Sequence, residues 1–231
     1  MAQKILVVED MQSVVDALRA LLEQEGFQVV VARNGLEGLQ VVHKERPDLL
    51  LLDLILPGLD GLEVCRRLRR DPETAQLPIL ILSGKGEEAD KVVGLEVGAD
   101  DYIAKPFSPK ELIARVKSHL RRSSLPVTSR VLRAGEIEMD LDRYRVTVQG
   151  TLVRLTSKEF DLLRALLEAN GRALSRNLLF ETVWGHSKDA ELESRTIDVH
   201  IRNLRNKLGP ERRHIFTVRN VGYRLDTASD E

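Results

Sequence analysis

The sequence predicts an α/β half with a parallel sheet, followed by a smaller α+β half. Three observations carry this. Five short apolar segments alternate with helically spaced segments over residues 1–120. Residues 121–130, RRSSLPVTSR, break the pattern with Ser, Arg and one Pro. Beyond them, short alternating segments precede three helical stretches and a closing hairpin.

In the first half, Lys4–Val8 is an apolar strand ending at Glu9-Asp10. Val14, Val15, Leu18, Leu21 and Leu22 have helical spacing, and Gly26 stops that helix. Phe27–Val31 is a strand, and Gly35–Val42 a helix closed by Pro47. Four consecutive leucines, Leu49–Leu52, are too few to span a membrane but suit a strand buried on both faces. That strand ends at Asp53, before the Pro57-Gly58 break. Leu62–Leu68 is helical up to Asp71-Pro72. Pro78–Leu82 is a strand ending at Ser83-Gly84, and Lys91–Val97 lies in a helix that Gly98 stops. Tyr102–Ala104 is a strand ending at Lys105-Pro106, and Glu111–Leu120 is the last helix of this half. Such short crossovers imply right-handed connections.

In the second half, Gly135–Met139, Tyr144–Val148 and Thr151–Leu155 read as small antiparallel strands. Thr156 and Glu159 form a capping box opening a helix with Phe160, Leu163, Leu166 and Leu167 inward. Ser175–Trp184 is a second helix, and a third runs from Glu193 or Ser194 to Leu208. Ile215–Val218 and Tyr223–Leu225 flank Asn220–Gly222 as a hairpin. The resulting division is 1–120, a linker at 121–130, 131–226, and a tail at 227–231.

At 42% hydrophobic and 31% charged residues, the chain is globular and not disordered. It has no apolar run long enough for a spanning helix, and MAQKILVVED turns acidic too early for a signal peptide. One cysteine, Cys65, excludes an internal disulfide and a cysteine-cluster metal site. A cytoplasmic protein is expected. Residues 1–120 carry 15 Lys+Arg against 20 Asp+Glu, whereas residues 121–231 carry 20 against 16. A basic second half points to a polyanionic partner.

The strand ends carry the chemistry. With sheet order 2-1-3-4-5, strands one and three are neighbours at the switch point, so Glu9, Asp10 and Asp53 crowd one pocket. Crowded carboxylates call for a cation, and hard oxygen ligands suit Mg²⁺. Asp53 is then a candidate nucleophile toward a phosphoryl group. Lys105 would neutralise charge on that group, and the Ser83 hydroxyl would bond one of its oxygens.

These residues, with DLILPGLDG, ILILSG and DDYIAKPF around them, resemble a flavodoxin-like (βα)5 response-regulator receiver domain over all of residues 1–120. The resemblance implies phosphotransfer to Asp53 from a sensor histidine kinase. It implies Mg²⁺ held by Asp10, Asp53 and the Ile55 backbone carbonyl, with Glu9 acting through water. It implies a cis Lys105-Pro106 bond, and makes Tyr102 a switch aromatic that turns in from the surface when phosphate draws Ser83 inward. Ser83 stands where Thr is commoner, and Gly84 where Ala is usual. In related regulators the following face forms a homodimer by crossed salt bridges. Lys91 with Glu111 and Asp101 with Arg115 are the expected pairs, with Asp100 beside them.

In the third basic-half helix, Ile197, Ile201, Leu204 and Leu208 form one apolar stripe. The opposite face carries Arg195, Val199, Arg202, Asn203 and Asn206, flanked by Thr196, His200 and Lys207 on one side and Arg205 with Asp198 on the other. Arg and Asn read base edges, Val meets a thymine methyl, and Lys and His suit phosphates. Asp198 has Arg202 and Arg205 as local partners. Arg219, near the hairpin tip, suits a minor groove. Residues 131–226 resemble the OmpR/PhoB-type winged helix-turn-helix effector domain, through LTSKEFDLLRALLEANGRALSR, RTIDVHIRNLRNKLG and FTVRNVGYRL. Tyr223 is counted with the DNA-facing residues of that motif. Asn220 stands where Gly is usual, and Asn203 where Arg or Ser is common. Trp184–Glu193, with Asp189, Glu191 and Glu193, matches a loop that in some relatives touches RNA polymerase.

The reading is a phosphorylation-dependent DNA-binding transcriptional regulator that dimerises and binds tandem half-sites. One alternative is a Mg²⁺-dependent phosphatase with an aspartyl nucleophile. Such sites place a second Asp two residues later, where this chain has Ile55. The other is a receiver acting only through protein partners, which salt-sensitive binding to specific duplex DNA would exclude.

Overall fold

A computed structural model of the chain describes residues 2–84, 94, 97–120, 131–185 and 190–226. Most of the expected Lys91–Val97 helix, the linker, the tail, and the side chains of Ser83 and residues 190–194 lie outside what is described. The chain divides into two compact units, Met1–Arg121 and Arg122–Glu231. No described helix is long and apolar enough to cross a membrane.

The first unit runs β1 (Lys4–Val8), α1 (Gln12–Gln24), β2 (Gln28–Ala32), α2 (Gly35–Glu45), β3 (Leu49–Asp53), α3 (Gly61–Arg70), β4 (Ile79–Ser83), β5 (Asp101–Ala104) and α4 (Pro109–Leu120). The sheet is ordered β2-β1-β3-β4-β5 and is parallel throughout. Leu49–Leu52 are fully buried because helices cover both faces of the central strand. Burying four leucines stabilises the fold by up to about 6–12 kcal/mol, so this segment anchors the unit. Side-chain caps fix where helices begin. Asn34 accepts from the Glu37 amide, and Asp60 accepts from the Glu63 amide at 2.7 Å.

Register positions the site. Val8 pairs with Leu52, Asp53 with Leu82, and Ser83 with Ala104. Glu9, Asp10, Asp53, Ser83 and Lys105 therefore emerge at one carboxyl edge of the sheet. Gly61 lets α3 start against that edge. A Cβ there would lie 2.1 Å from the Asp53 carbonyl oxygen and 2.8 Å from Leu54 Cα. Arg69 clamps the opposite end of the sheet. It donates to the carbonyls of Gly98 (2.6 Å) and Leu77 (2.7 Å) and to Asp100 Oδ2 (2.6 Å).

The second unit opens with four antiparallel strands, β6 (Val131–Ala134), β7 (Ile137–Asp140), β8 (Arg145–Val148) and β9 (Thr151–Val153). Residues 131–134 thus form a strand that the sequence pattern did not separate. Then come α5 (Ser157–Glu168), β10 (Leu174–Ser175), α6 (Arg176–Trp184), α7 (Ala190–Leu208), a 3-10 turn (Gly209–His214), β11 (Ile215–Val218) and β12 (Gly222–Leu225). The Thr156–Glu159 capping box is formed. β10 joins the hairpin in a sheet ordered β10-β12-β11, a pairing too short to see in sequence. One apolar core joins both small sheets to α5, α6 and α7. Asn220 adopts φ 59° at the hairpin turn, a left-handed conformation that Asn tolerates in place of Gly.

Candidate acidic pocket and nucleic-acid interface

At the carboxyl edge of the parallel sheet, one oxygen each of Glu9, Asp10 and Asp53 lies within 4.8 Å of the others. Glu9 and Asp53 are buried and Asp10 is exposed. Lys105 reaches into this group. Its Nζ lies 2.5 Å from Glu9 Oε2 and 2.7 Å from Asp53 Oδ2. The Met11 amide donates to Glu9 Oε1 at 3.2 Å, and the Ile55 amide donates to Asp53 Oδ1 at 3.2 Å. The Lys105-Pro106 bond is cis, as expected.

Burial pushes the Glu9 carboxyl above the usual glutamate range. The Lys105 ammonium opposes that shift, while Asp53 reinforces it. Burial alone would lower Lys105, but its hydrogen bonds to Asp53 and Glu9 outweigh this and hold it above the ordinary lysine value. Three carboxylates against one ammonium leave a formal charge of −2, which one divalent cation balances. The all-oxygen donor set fits Mg²⁺. Asp10, at the exposed side of the cluster, leaves the site reachable from solvent.

Tyr102 is 7% exposed and sits in β5 opposite Ile81, so it is already inside and not at the surface position expected of it. Asp100 is withdrawn from the charged face as well. It is fully buried, held by Arg69 and by the Ile79 amide at 2.9 Å. Asp101 is buried and pairs with Arg115 of the same chain at 2.8 Å, with His119 Nε2 at 3.4 Å. Burial alone would raise the Asp101 carboxyl, but the Arg115 guanidinium, aided by His119, holds it well below the usual carboxylate range. Glu111 pairs with Arg115 along α4 at 3.2 Å. Lys91 lies outside the described residues.

On α7 the accessible row is Arg195, Asp198, Arg202, Asn206 and Lys207, with Asn203 and Arg205 half-buried. Thr196, Val199 and His200, assigned from sequence to the duplex-facing side, are buried. The reason is that α7 packs on two sides. Its apolar stripe enters the core, and the His200 ring lies 5.1 Å from Trp184 of α6. Tyr223 is buried too, its hydroxyl donating to Asp198 Oδ1 at 2.7 Å. Asp198 does not take its helical neighbours as partners. It accepts from Arg176 Nε of α6 at 2.7 Å. Arg205 turns to the hairpin, donating to the Ile215 carbonyl at 2.8 Å and Thr217 Oγ1 at 2.9 Å. Arg219 is exposed beside the turn. Arg176 escaped the sequence reading because its partners lie 22 and 47 residues away.

Residues 5–117 match the response regulator receiver domain family, and residues 150–225 match the C-terminal domain of transcriptional regulatory proteins. The chain is 47% identical over 229 residues to the phosphate regulon transcriptional regulatory protein PhoB of Rhizobium meliloti (strain 1021), covering 98% of this chain and 100% of that protein. It is 43% identical to the alkaline phosphatase synthesis transcriptional regulatory protein PhoP of Bacillus subtilis (strain 168), covering 98% of each. Among solved structures, a RitR mutant superposes with a TM-score of 0.76 at 25% identity, covering 98% of this chain and 100% of that one. The response regulator DrrB, a Thermotoga maritima OmpR/PhoB homolog, superposes with a TM-score of 0.52 at 28% identity, covering 98% and 100%. Full-length similarity at this level, with a carboxylate pocket in one unit and a winged helix in the other, places the chain among the OmpR/PhoB-type response regulators, the phosphorylation-dependent DNA-binding transcriptional regulators of two-component signalling.

Proposed function

We propose that Asp53 is the phosphoacceptor and that a sensor histidine kinase is the donor. An Asp53 carboxylate oxygen attacks phosphorus, the phosphorus–nitrogen bond of the kinase phosphohistidine breaks, and the imidazole leaves with the electron pair. The product is an acyl phosphate. Lys105, which now bridges Glu9 and Asp53, follows the charge onto a phosphoryl oxygen, and the Ser83 hydroxyl at the end of β4 bonds another. Asp10, Asp53 and the Ile55 carbonyl would hold Mg²⁺, with Glu9 acting through water. The ion supplies charge neutralisation at the phosphoryl oxygens. Ile55 stands where a hydrolase of this type carries its acid, which argues against efficient turnover and leaves only slow self-dephosphorylation.

Storage of that charge shifts the β5–α4 face toward self-association in the cytoplasm. Asp101 and Arg115, paired within one chain at 2.8 Å, exchange partners with a second copy, joined by Lys91 and Glu111. Two copies then present their α7 helices to tandem half-sites, which raises affinity by effective concentration. The exposed Arg195, Arg202 and Asn206, with Asn203 and Arg205, address the major groove and its phosphates, while Arg219 addresses the minor groove. Trp184–Glu193, of which residues 186–189 lie outside the described residues, is the candidate contact for RNA polymerase.

The single observation that carries this reading is the convergence of Glu9, Asp10 and Asp53 within 4.8 Å, with one lysine on two of them. The test is radiolabelled phosphotransfer from a small acyl-phosphate donor with Mg²⁺. D53A should take no hydroxylamine-labile label, while the separate 131–226 unit still binds DNA. Label surviving in D53A would mean that another residue is the acceptor.

A further inference from the structure

Outside the acidic pocket, a further polar cluster lies where α6, α7 and the hairpin meet. Asp198 Oδ1 accepts from both Arg176 Nε and the Tyr223 hydroxyl, each at 2.7 Å. Arg176 is the first residue of α6, and Tyr223 is central in the three-stranded sheet, paired with Thr217 on one side and Leu174 on the other. The guanidinium carbons of Arg176 and Arg205 lie 4.9 and 5.5 Å from the Tyr223 ring centre. Both cations are therefore within interaction range of the ring, and its hydroxyl donates to the Asp198 carboxylate.

Two features bear on the role of this cluster. An open cleft of about 580 Å³ is lined by Ser175, Arg176 and Asn177 at the start of α6, by Asp198 midway along α7, and by Asn220 and Val221 of the hairpin turn. Asn220 and Val221 of the turn are exposed beside this cleft, whereas Tyr223 at the base of the hairpin is buried. An acid on the basic side of α7 also repels phosphates, and Arg176 both cancels that charge and turns the carboxylate toward the sheet.

We propose that Asp198 is a positioning residue for DNA binding: through Tyr223 and Arg176 it fixes the angle of the hairpin to α7, and so the reach from the α7 contacts to Arg219. This deepens the DNA-contact reading above and rests on it. The hairpin is two short strands and is weakly stable alone. Its strands are anchored through β10 and through Ile215, Tyr223 and Leu225 in the core, and from α7 Asp198 and Arg205 add polar contacts to it.

The test uses the full chain and a duplex selected by that chain from random DNA. Y223F removes one hydroxyl, and D198A removes the shared acceptor. Each should bind the selected duplex about threefold to tenfold more weakly, the effect of one or two hydrogen bonds. Each should lose hydroxyl-radical protection in the flanking minor groove yet keep purine protection in the central major groove. R219A should cost nothing further in the Y223F background. The sign for D198A is diagnostic. If Asp198 only repels DNA, its removal tightens binding, and that result overturns the proposal. Central and flanking protection lost together, with a lower melting temperature, would also overturn it, as the role would then be structural. A flank lost in R219A but kept in Y223F and D198A sinks the positioning role alone. A flank that R219A leaves protected sinks the minor-groove reading and the positioning role together.

Discussion

Replacing Lys105 with Met tests the electrostatics of the acidic pocket most directly. The side chain keeps similar length and apolar reach but loses its charge. In the chain as it stands, one ammonium touches Glu9 at 2.5 Å and Asp53 at 2.7 Å. Without it, the formal charge of the pocket moves from −2 to −3, with Glu9 fully buried. Removing one partner from a buried ion pair costs about 3–5 kcal/mol. The Lys105 side chain is 21% exposed and Asp10 faces water, so solvent screens part of this and about 2–3 kcal/mol is expected. A divalent ion should matter more to this variant, because the ion then opposes three charges instead of two. At one hundred times its dissociation constant, a bound ion stabilises by about 2.7 kcal/mol. The assay is calorimetry in chelator and in excess Mg²⁺. Tryptophan fluorescence is blind here, since the one tryptophan, Trp184, lies in the core of the other unit. K105M should melt lower than the unaltered chain in chelator and gain more from Mg²⁺. Equal melting in chelator, or no larger gain from Mg²⁺, refutes the reading of a pocket with excess negative charge.

Other outcomes follow from particular contacts. Asp101 has a folded pKa below its unfolded value of about 3.9, so its stabilising contribution is complete above about pH 4 and is lost as pH falls below that. D101N should thus be less stable at neutral pH, and its melting temperature should depend less on pH between about 4 and 2. Gly61→Ala drives a Cβ to 2.1 Å from a backbone oxygen of Asp53, so the turn must move. It should cost about 1–3 kcal/mol or more and slow phosphotransfer, read by denaturant titration and labelling rate. Arg202→Ala removes one exposed cation from α7 and should flatten the log–log salt dependence of DNA affinity by about 0.9, the effect of one phosphate contact.

Much of this protein is legible without coordinates, for one physical reason: burial in a parallel sheet demands continuous apolar runs, and strand ends follow directly from where those runs stop. Leu49–Leu52 and the acids, serine and lysine after each strand mark the sheet edge, and the register of β1, β3, β4 and β5 then brings Glu9, Asp10, Asp53 and Lys105 together as expected. The apolar stripe of α7 was equally plain, because helical periodicity is local. What periodicity cannot tell is how many neighbours a helix touches. α7 packs against α6 and the hairpin as well as the core, so Thr196, Val199 and His200 are interior although they lie off the apolar stripe. The same limit holds for charged partners. Asp198 has arginines one helical turn away yet bonds Arg176 and Tyr223, and Asp100 turns inward to Arg69, 31 residues away. Short-range spacing names the candidates for an ion pair, but the lowest-energy partner is the one that folding delivers with good geometry and little water. That choice belongs to the packed chain.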